Sequence, residues 1–387
     1  MPRFLPVLLL VCASLRAQTA VVLPFFNHSD STNLDWIGES ISESVRDSLV
    51  SEGLLVLNRE DRLEAYRRQS LRPGAELTHA SVIKIGQALD ASTVVYGSFE
   101  VTAEPGKEPL KSSLRIDARI VDLKNLSQST PLTETGVLED LAALEAHLGW
   151  QVLQQLAPKT ASSEKDFLAA RPPVRIDAVE NYVRGLLAAN PEQRRRFFMQ
   201  AARLDEHYSQ PCFQLGKAAW EQKDYKSAAS WLQRVARSDP RYFEAQFYLG
   251  LCRYHQGDFA GATQSFQTVA AAVPLNEVYN NLGAAQARAG QSAAALTSFQ
   301  KALEGDDSDP DYHFNLGYAL YLDGKYDQAV SSFRAVLARN QTDTEATTLL
   351  GRALKKEPAV RAEARERLKT NYEETAYREL QAELKKK

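Results

Sequence analysis

The side chains best able to do chemistry are two serines in GESIS (residues 38–42), an acidic run in EGDDSDPD (residues 304–311), six histidines and three cysteines. A serine nucleophile on a strand-to-helix elbow needs glycines on both sides. GESIS supplies Gly38, lacks the second glycine, and opens a helical pattern. Ser40 and Ser42 therefore read as residues of a polar helix face. Asp306, Asp307 and Asp309 lack the twelve-residue pattern of a calcium loop, and turn chemistry accounts for them. His28, His79, His147, His207, His255 and His313 include no pair at zinc-ligand spacing. A phosphate-cradling G-x-x-x-x-G-K-[ST], a dinucleotide G-x-G-x-x-G and H-E-x-x-H are absent too. No acid, base and nucleophile can be assembled from neighbouring motifs, so the reading is a non-enzymatic chain without metal or cofactor.

The elements that would carry any site fall into two textures. At 387 residues, 44% apolar and 25% charged, the chain predicts two or three folded domains. Residues 1–17 have a basic start and an apolar stretch too short to span a bilayer, which reads as a signal peptide cleaved after Ala17. Val11 before Cys12 is bulky where a lipoprotein box carries a small residue, so lipidation of Cys12 is the minority reading. The formal charge is −3, and nothing in it favours nucleic acid. Past the leader only Cys212 and Cys252 remain. Both lie on apolar helical positions and read as buried thiols.

From 18 to 157, strand and helix signals alternate. AVVLPF and LLVLN read as strands, and NLDWIGESISESVRDSLVSEG, REDRLEAYRRQS and HASVIKIGQALD as helices. ASTVVYGSFEVT and SLRIDARIVDL alternate apolar and polar residues around AEPGKEP, which predicts an antiparallel hairpin. A strand at 132–137 and a helix over 138–156 complete a small mixed α/β domain. Residues 158–175, rich in small, charged and proline residues, read as a linker.

Beyond it every periodic segment is helical. Leu-Gly recurs at Leu215-Gly216, Leu249-Gly250, Leu282-Gly283, Leu316-Gly317 and Leu350-Gly351, spaced 34, 33, 34 and 34 residues apart. Alanine follows the first four glycines by twelve residues (Ala228, Ala262, Ala295, Ala329), and a large apolar residue by sixteen (Leu232, Phe266, Phe299, Phe333). Gly257, Gly290 and Gly324 mark turns. Each unit reads as two helices, with the Leu-Gly glycine removing a side chain where the second helix crosses the first. A single unit cannot cover its own apolar face, so the units stack into a superhelix.

This pattern resembles the tetratricopeptide repeat (TPR). The resemblance implies an α-solenoid over 176–357: a degenerate unit at 176–208, repeats from 209, 243, 276 and 310, and a degenerate unit from 344. A charged capping helix is expected over 358–387. The fold class is thus multidomain, a small α/β domain followed by an all-α TPR solenoid. The amino-terminal stretch, with VVLPF, LDWIGE and VVYGSF, resembles the TolB amino-terminal-like group, which extends to curli-secretion-channel proteins and implies a non-catalytic module.

The TPR resemblance further implies a concave groove lined by the first helix of each repeat. Carried onto this chain, its lining is Phe213, Gln214, Lys217 and Trp220, then Phe247, Leu251, Tyr254 and His255. Asn280, Asn281 and Arg288 follow, and then Phe314, Asn315, Tyr318 and Tyr321. Aromatics offer contact area and asparagine amides offer both donor and acceptor to a peptide. The lysine-asparagine clamp for acidic carboxyl-terminal tails is not reproduced. The expected function is an exported, periplasmic or outer-membrane-associated adaptor that binds a protein or peptide partner in a bacterial cell envelope. The alternatives are a small-molecule sensor and an oligomeric, secretion-channel-like component.

Overall fold

The computed structural model describes residues 19–72, 74–103, 108–159, 161–358 and 365–384. The signal-peptide reading of residues 1–17, and Cys12 with it, lies outside the described residues.

Alternating β-branched residues build one seven-stranded sheet: β1 (Thr19–Val22), β2 (Phe26–Asn27), β3 (Leu55–Val56), β4 (Thr93–Thr102), β5 (Ser113–Asp122), β6 (Ser127–Gln128) and β7 (Leu132–Val137). β1 lies between β3 and β4, parallel to both, and β2 continues alongside β4. β4 and β5 form the expected antiparallel hairpin, paired from Thr93 opposite Asp122 to Thr102 opposite Ser113. β6 and β7 both add to β5.

Strand periodicity divides the core between two helical layers. Ala20, Val22, Val95, Leu114, Ile116 and Ile120 share a cluster with α1 (Trp36–Ser51) and α4 (Leu141–Leu156). Val21, Leu23, Val94 and Val121 instead meet Ala65 and Tyr66 of α2 (Arg59–Arg68) and Val82 and Ile85 of α3 (His79–Ala88). Ser40 and Ser42 do not lie on a solvated face. Both are buried, and Ser42 Oγ donates to Val22 O at 3.0 Å. The reason is tertiary: α1 packs on the sheet and on α4, and also against α6 (Ile176–Leu187) of the helical array.

Nor is 158–175 a free tether. Ser163 caps α5 (Glu164–Ala169), whose Phe167 is buried. The Arg171 guanidinium sits 3.5 Å above the Phe167 ring and pairs with Glu52 at 3.4 Å. One aromatic anchor and one cation suffice to fasten the stretch to α1.

The helical array pairs α6 with α7 (Pro191–Leu204), α8 (Ser209–Glu221) with α9 (Tyr225–Leu232), and α10 (Tyr242–His255) with α11 (Phe259–Ala272). It continues with α12 (Asn276–Arg288) and α13 (Ser292–Gly305), then α14 (Pro310–Leu322) and α15 (Tyr326–Arg339), and then α16 (Thr344–Leu354). The glycines of the first four Leu-Gly pairs sit at helix crossings. A Cβ on Gly283 would lie 2.7 Å from Phe299, on Gly250 2.8 Å from Phe266, and on Gly216 2.6 Å from Leu232. Gly351, on α16, has nothing within 4 Å of that position. Cys212 and Cys252 are free and buried, and burial pushes the Cys252 thiol up to about 12, which makes it inert.

The expected capping helix over 358–387 is replaced, in its described part, by two pieces. Residues 365–373 form no helix and lie in the groove of the array. Helix α17 (Glu374–Leu384) then returns to the α/β domain, touching β3 and placing Arg378 3.6 Å from Asp61. The groove meets the backbone polar groups of the tail with side chains, so helical hydrogen bonding is not needed to satisfy them.

Candidate functional site: the groove of the helical array

Three buried asparagines hold the tail by its backbone. Asn281, on α12, accepts the Lys369 N–H at 2.8 Å and donates to the Lys369 carbonyl at 2.7 Å. Asn315, on α14, accepts the Arg367 N–H at 2.8 Å and donates to the Arg367 carbonyl at 2.8 Å. Asn280 donates to that same carbonyl at 2.8 Å, and its own oxygen accepts from Asn315 at 2.7 Å. A carboxamide is complementary to the main-chain donor and acceptor of one residue, so each pair reads main chain and not side chain. All three asparagines are fully buried. Leaving one such amide buried and unpaired costs about 1–3 kcal/mol, so a segment that covers these asparagines must offer them main-chain partners.

The side chains of the tail alternate as in an extended chain, successive residues pointing opposite ways. Arg367 and Lys369 enter an acidic wall. Arg367 makes a two-pronged pair with Asp343 at 2.6 and 3.0 Å, reaches Glu345 at 3.3 Å, and lies 3.6 Å above the Phe314 ring. Lys369 Nζ sits 2.7 Å from both Asp309 and Asp311, over the face of Tyr312. Glu366 points the other way, accepting from Tyr254 Oη at 2.8 Å and pairing with Arg288 at 2.9 Å. Further along, Tyr372 meets Phe247 edge-on at 5.1 Å, and the Glu373 N–H donates to Glu277 at 3.2 Å. The Arg367 guanidinium holds the Asp343 carboxyl below the usual carboxylate range.

Of the residues expected to line the groove, Phe247, Tyr254, Asn280, Asn281, Arg288, Phe314 and Asn315 touch the tail. The others make contacts within the array or line a neighbouring cavity. Trp220 lies against Tyr225, Tyr248 and His255, and His255 stacks on Tyr225 at 4.4 Å. Leu251, Tyr318 and Tyr321 are buried, and Phe213 is buried beneath Lys217 and Arg241. Lys217 pairs with Glu244 at 3.2 Å. Gln214 and Lys217 line a cavity of about 820 Å³ between the first units of the array and the α/β domain.

Residues 213–277 and 280–344 match the family model described as tetratricopeptide repeat. The helical array is a TPR array. Repeats of this kind are generally non-catalytic scaffolds. Among solved structures, the chain is similar to MamA residues 41 to the end from Desulfovibrio magneticus RS-1, at 25% identity over 42% of this chain and 92% of that one, TM-score 0.38. It is similar to MamA AMB-1 at 20% identity over 43% and 99%, TM-score 0.37. YrrB, described as a TPR protein with an unusual peptide-binding site, matches at 20% identity over 41% and 84%, TM-score 0.36. No curated protein matches the chain. Among the described residues no helix is long and apolar enough to cross a membrane.

The sequence reading missed the acidic wall of the TPR groove. Asp309 does cap α14 by accepting the Asp311 N–H, as turn chemistry implies, but its second oxygen takes Lys369. A signal was present. Glu244, Glu277, Asp311 and Glu345 recur 33, 34 and 34 residues apart, in the period of the repeats themselves. The first three stand one turn before the groove asparagine or aromatic of their unit, and Glu345 holds the equivalent place in the last unit, so the repeat geometry stacks the four carboxylates along one wall.

Proposed function

We propose that this protein is a peptide-binding adaptor whose TPR groove grips an extended segment of a protein partner. One observation carries the reading: the groove already holds an extended polypeptide, residues 365–373, through main-chain pairing to Asn280, Asn281 and Asn315. Main-chain pairing of this kind supplies affinity, and neighbouring side-chain pockets supply selectivity. The α/β domain braces the first repeats, and its likeness to the TolB amino-terminal-like group supports docking to an envelope assembly. The apolar leader supports export, with the adaptor acting in the periplasm or at the outer membrane.

The test is a crosslinking pull-down from envelope extract with the full chain and with Asn280→Ala combined with Asn315→Ala. We expect loss of the captured protein from the double variant while its helical circular dichroism is retained. A folded double variant that recovers the same protein in the same amount overturns the reading. Fractionation of cells carrying the full chain, with amino-terminal sequencing of the product, tests export. Product beginning at Gln18 supports it, and uncleaved chain confined to the cytoplasm contradicts it.

A further inference from the structure

We infer that the groove selects an extended partner segment of the pattern Glu-Arg-x-Lys, of which residues 366–369 are an internal copy, so that the chain's own tail and the partner compete for one site. The inference rests on the peptide-groove reading above and specifies its ligand.

Three features define the pattern. The Arg pocket is built from the Phe314 face and the carboxylates of Asp343 and Glu345, with Asp311 at its edge. Planar guanidinium geometry fits it, because both Asp343 oxygens are engaged at once and the ring beneath is flat. The Lys pocket, two residues on, is a pair of carboxylates equidistant from one ammonium. Between them, the opposite side offers Arg288 and Tyr254 to an acidic residue. A two-residue spacing of the cations is forced by the asparagines, which fix the backbone at 367 and 369 and so fix which side chains face the acidic wall.

The charge balance points outward from the tail to a partner. Among the described residues, the cations that pair with Asp309, Asp311, Asp343 and Glu345 are Arg367 and Lys369, and the carboxylate ladder continues to Glu277 and Glu244. Without its tail this wall is a row of like charges, which favours a basic segment over an acidic or neutral one. The tail is tethered to the array and so competes at an effective concentration of order millimolar. A partner must either outbid that or displace the tail in steps, from Glu373 inward.

The experiment uses the full chain and a dye-labelled nonapeptide, RERLKTNYE, matching residues 365–373. Arg367→Glu with Lys369→Glu in the chain drives the tail from the acidic wall. We expect the nonapeptide to bind this variant about tenfold or more tighter than the unsubstituted chain, read by fluorescence anisotropy. A nonapeptide with its second arginine and its lysine changed to glutamate should not bind. Arg367→Ala alone gives the same order of affinities with a smaller gain, which keeps the test open if the double reversal fails to fold. Equal binding of both peptides overturns the Glu-Arg-x-Lys pattern while leaving the peptide groove standing. Binding of neither peptide by a folded variant overturns both.

Discussion

At the scale of single residues, the Leu-Gly glycines are not equivalent, although the sequence writes them alike. Gly283 lies where a methyl group would meet the Phe299 ring, whereas Gly351 faces open space because no partner helix crosses α16 there among the described residues. Gly283→Ala should therefore destabilise the chain by about 1–3 kcal/mol through overpacking. Gly351→Ala should stabilise it by roughly 0.5–1 kcal/mol, the helix-propensity gain without the clash. Denaturant midpoints of the two variants check this, and a shift of the same sign in both contradicts the crossing argument. The period made the glycines legible. Which of them is pinned depends on whether a second helix is present, and Leu-Gly itself carries no such information.

Among the elements, the carboxyl-terminal tail has the greatest consequence for function. Its pairing with the groove is electrostatic at Arg367, and the depressed Asp343 carboxyl fixes the pH at which that pairing fails. The carboxylate contribution is fully present above the ordinary aspartate value of about 3.9 and is lost as pH falls through the lowered one. The affinity of the vacated groove for the nonapeptide should accordingly be flat from pH 7 to about pH 5 and drop steeply toward pH 3. Anisotropy titrations across that range measure it, and an affinity unchanged at pH 3 removes the Arg367–Asp343 pair from the account. Composition misled the sequence reading here. A stretch rich in arginine, glutamate and alanine reads as a charged helix, and only the three asparagines and the acidic wall make an extended path better satisfied.

For the whole molecule, the α/β domain and the repeats share one apolar core, running from the sheet through α1 and α4 into α6 and α8. Charged groups are trapped at this junction, Arg241 contacting Asp47 at 3.6 Å and Tyr182 at 3.4 Å. Glu145 of α4 is buried beside a cavity of about 190 Å³ that lies between α1, α4 and the array. Burial pushes its carboxyl from 4.5 up to about 8, against the pull of Ser40 and Ser44. The folded chain then keeps a proton that the unfolded chain releases, so stability declines as pH rises from 4.5 to about 8. Glu145→Gln should remove the penalty, stabilising the chain by on the order of 4 kcal/mol at pH 8 and by almost nothing at pH 4. Thermal unfolding at the two pH values tests it, and an equal gain at both rules out the proton linkage.

By itself the sequence determined what is periodic: alternation in β4 and β5, the helix pairs with their crossing glycines, and the asparagines at 280, 281 and 315. These are local or evenly repeated, and hydrophobic burial acts on them in the same way in every unit. Tertiary structure alone decided that Ser40 and Ser42 are buried, that 158–175 is anchored by Phe167, and that Trp220, Tyr225 and His255 form one ring cluster. It also decided that residues 365–373 lie in the groove, since Lys369 meets Asn281 across 88 positions of chain. Contacts at that separation are chosen by which surfaces fold opposite one another, and no short-range pattern encodes the choice.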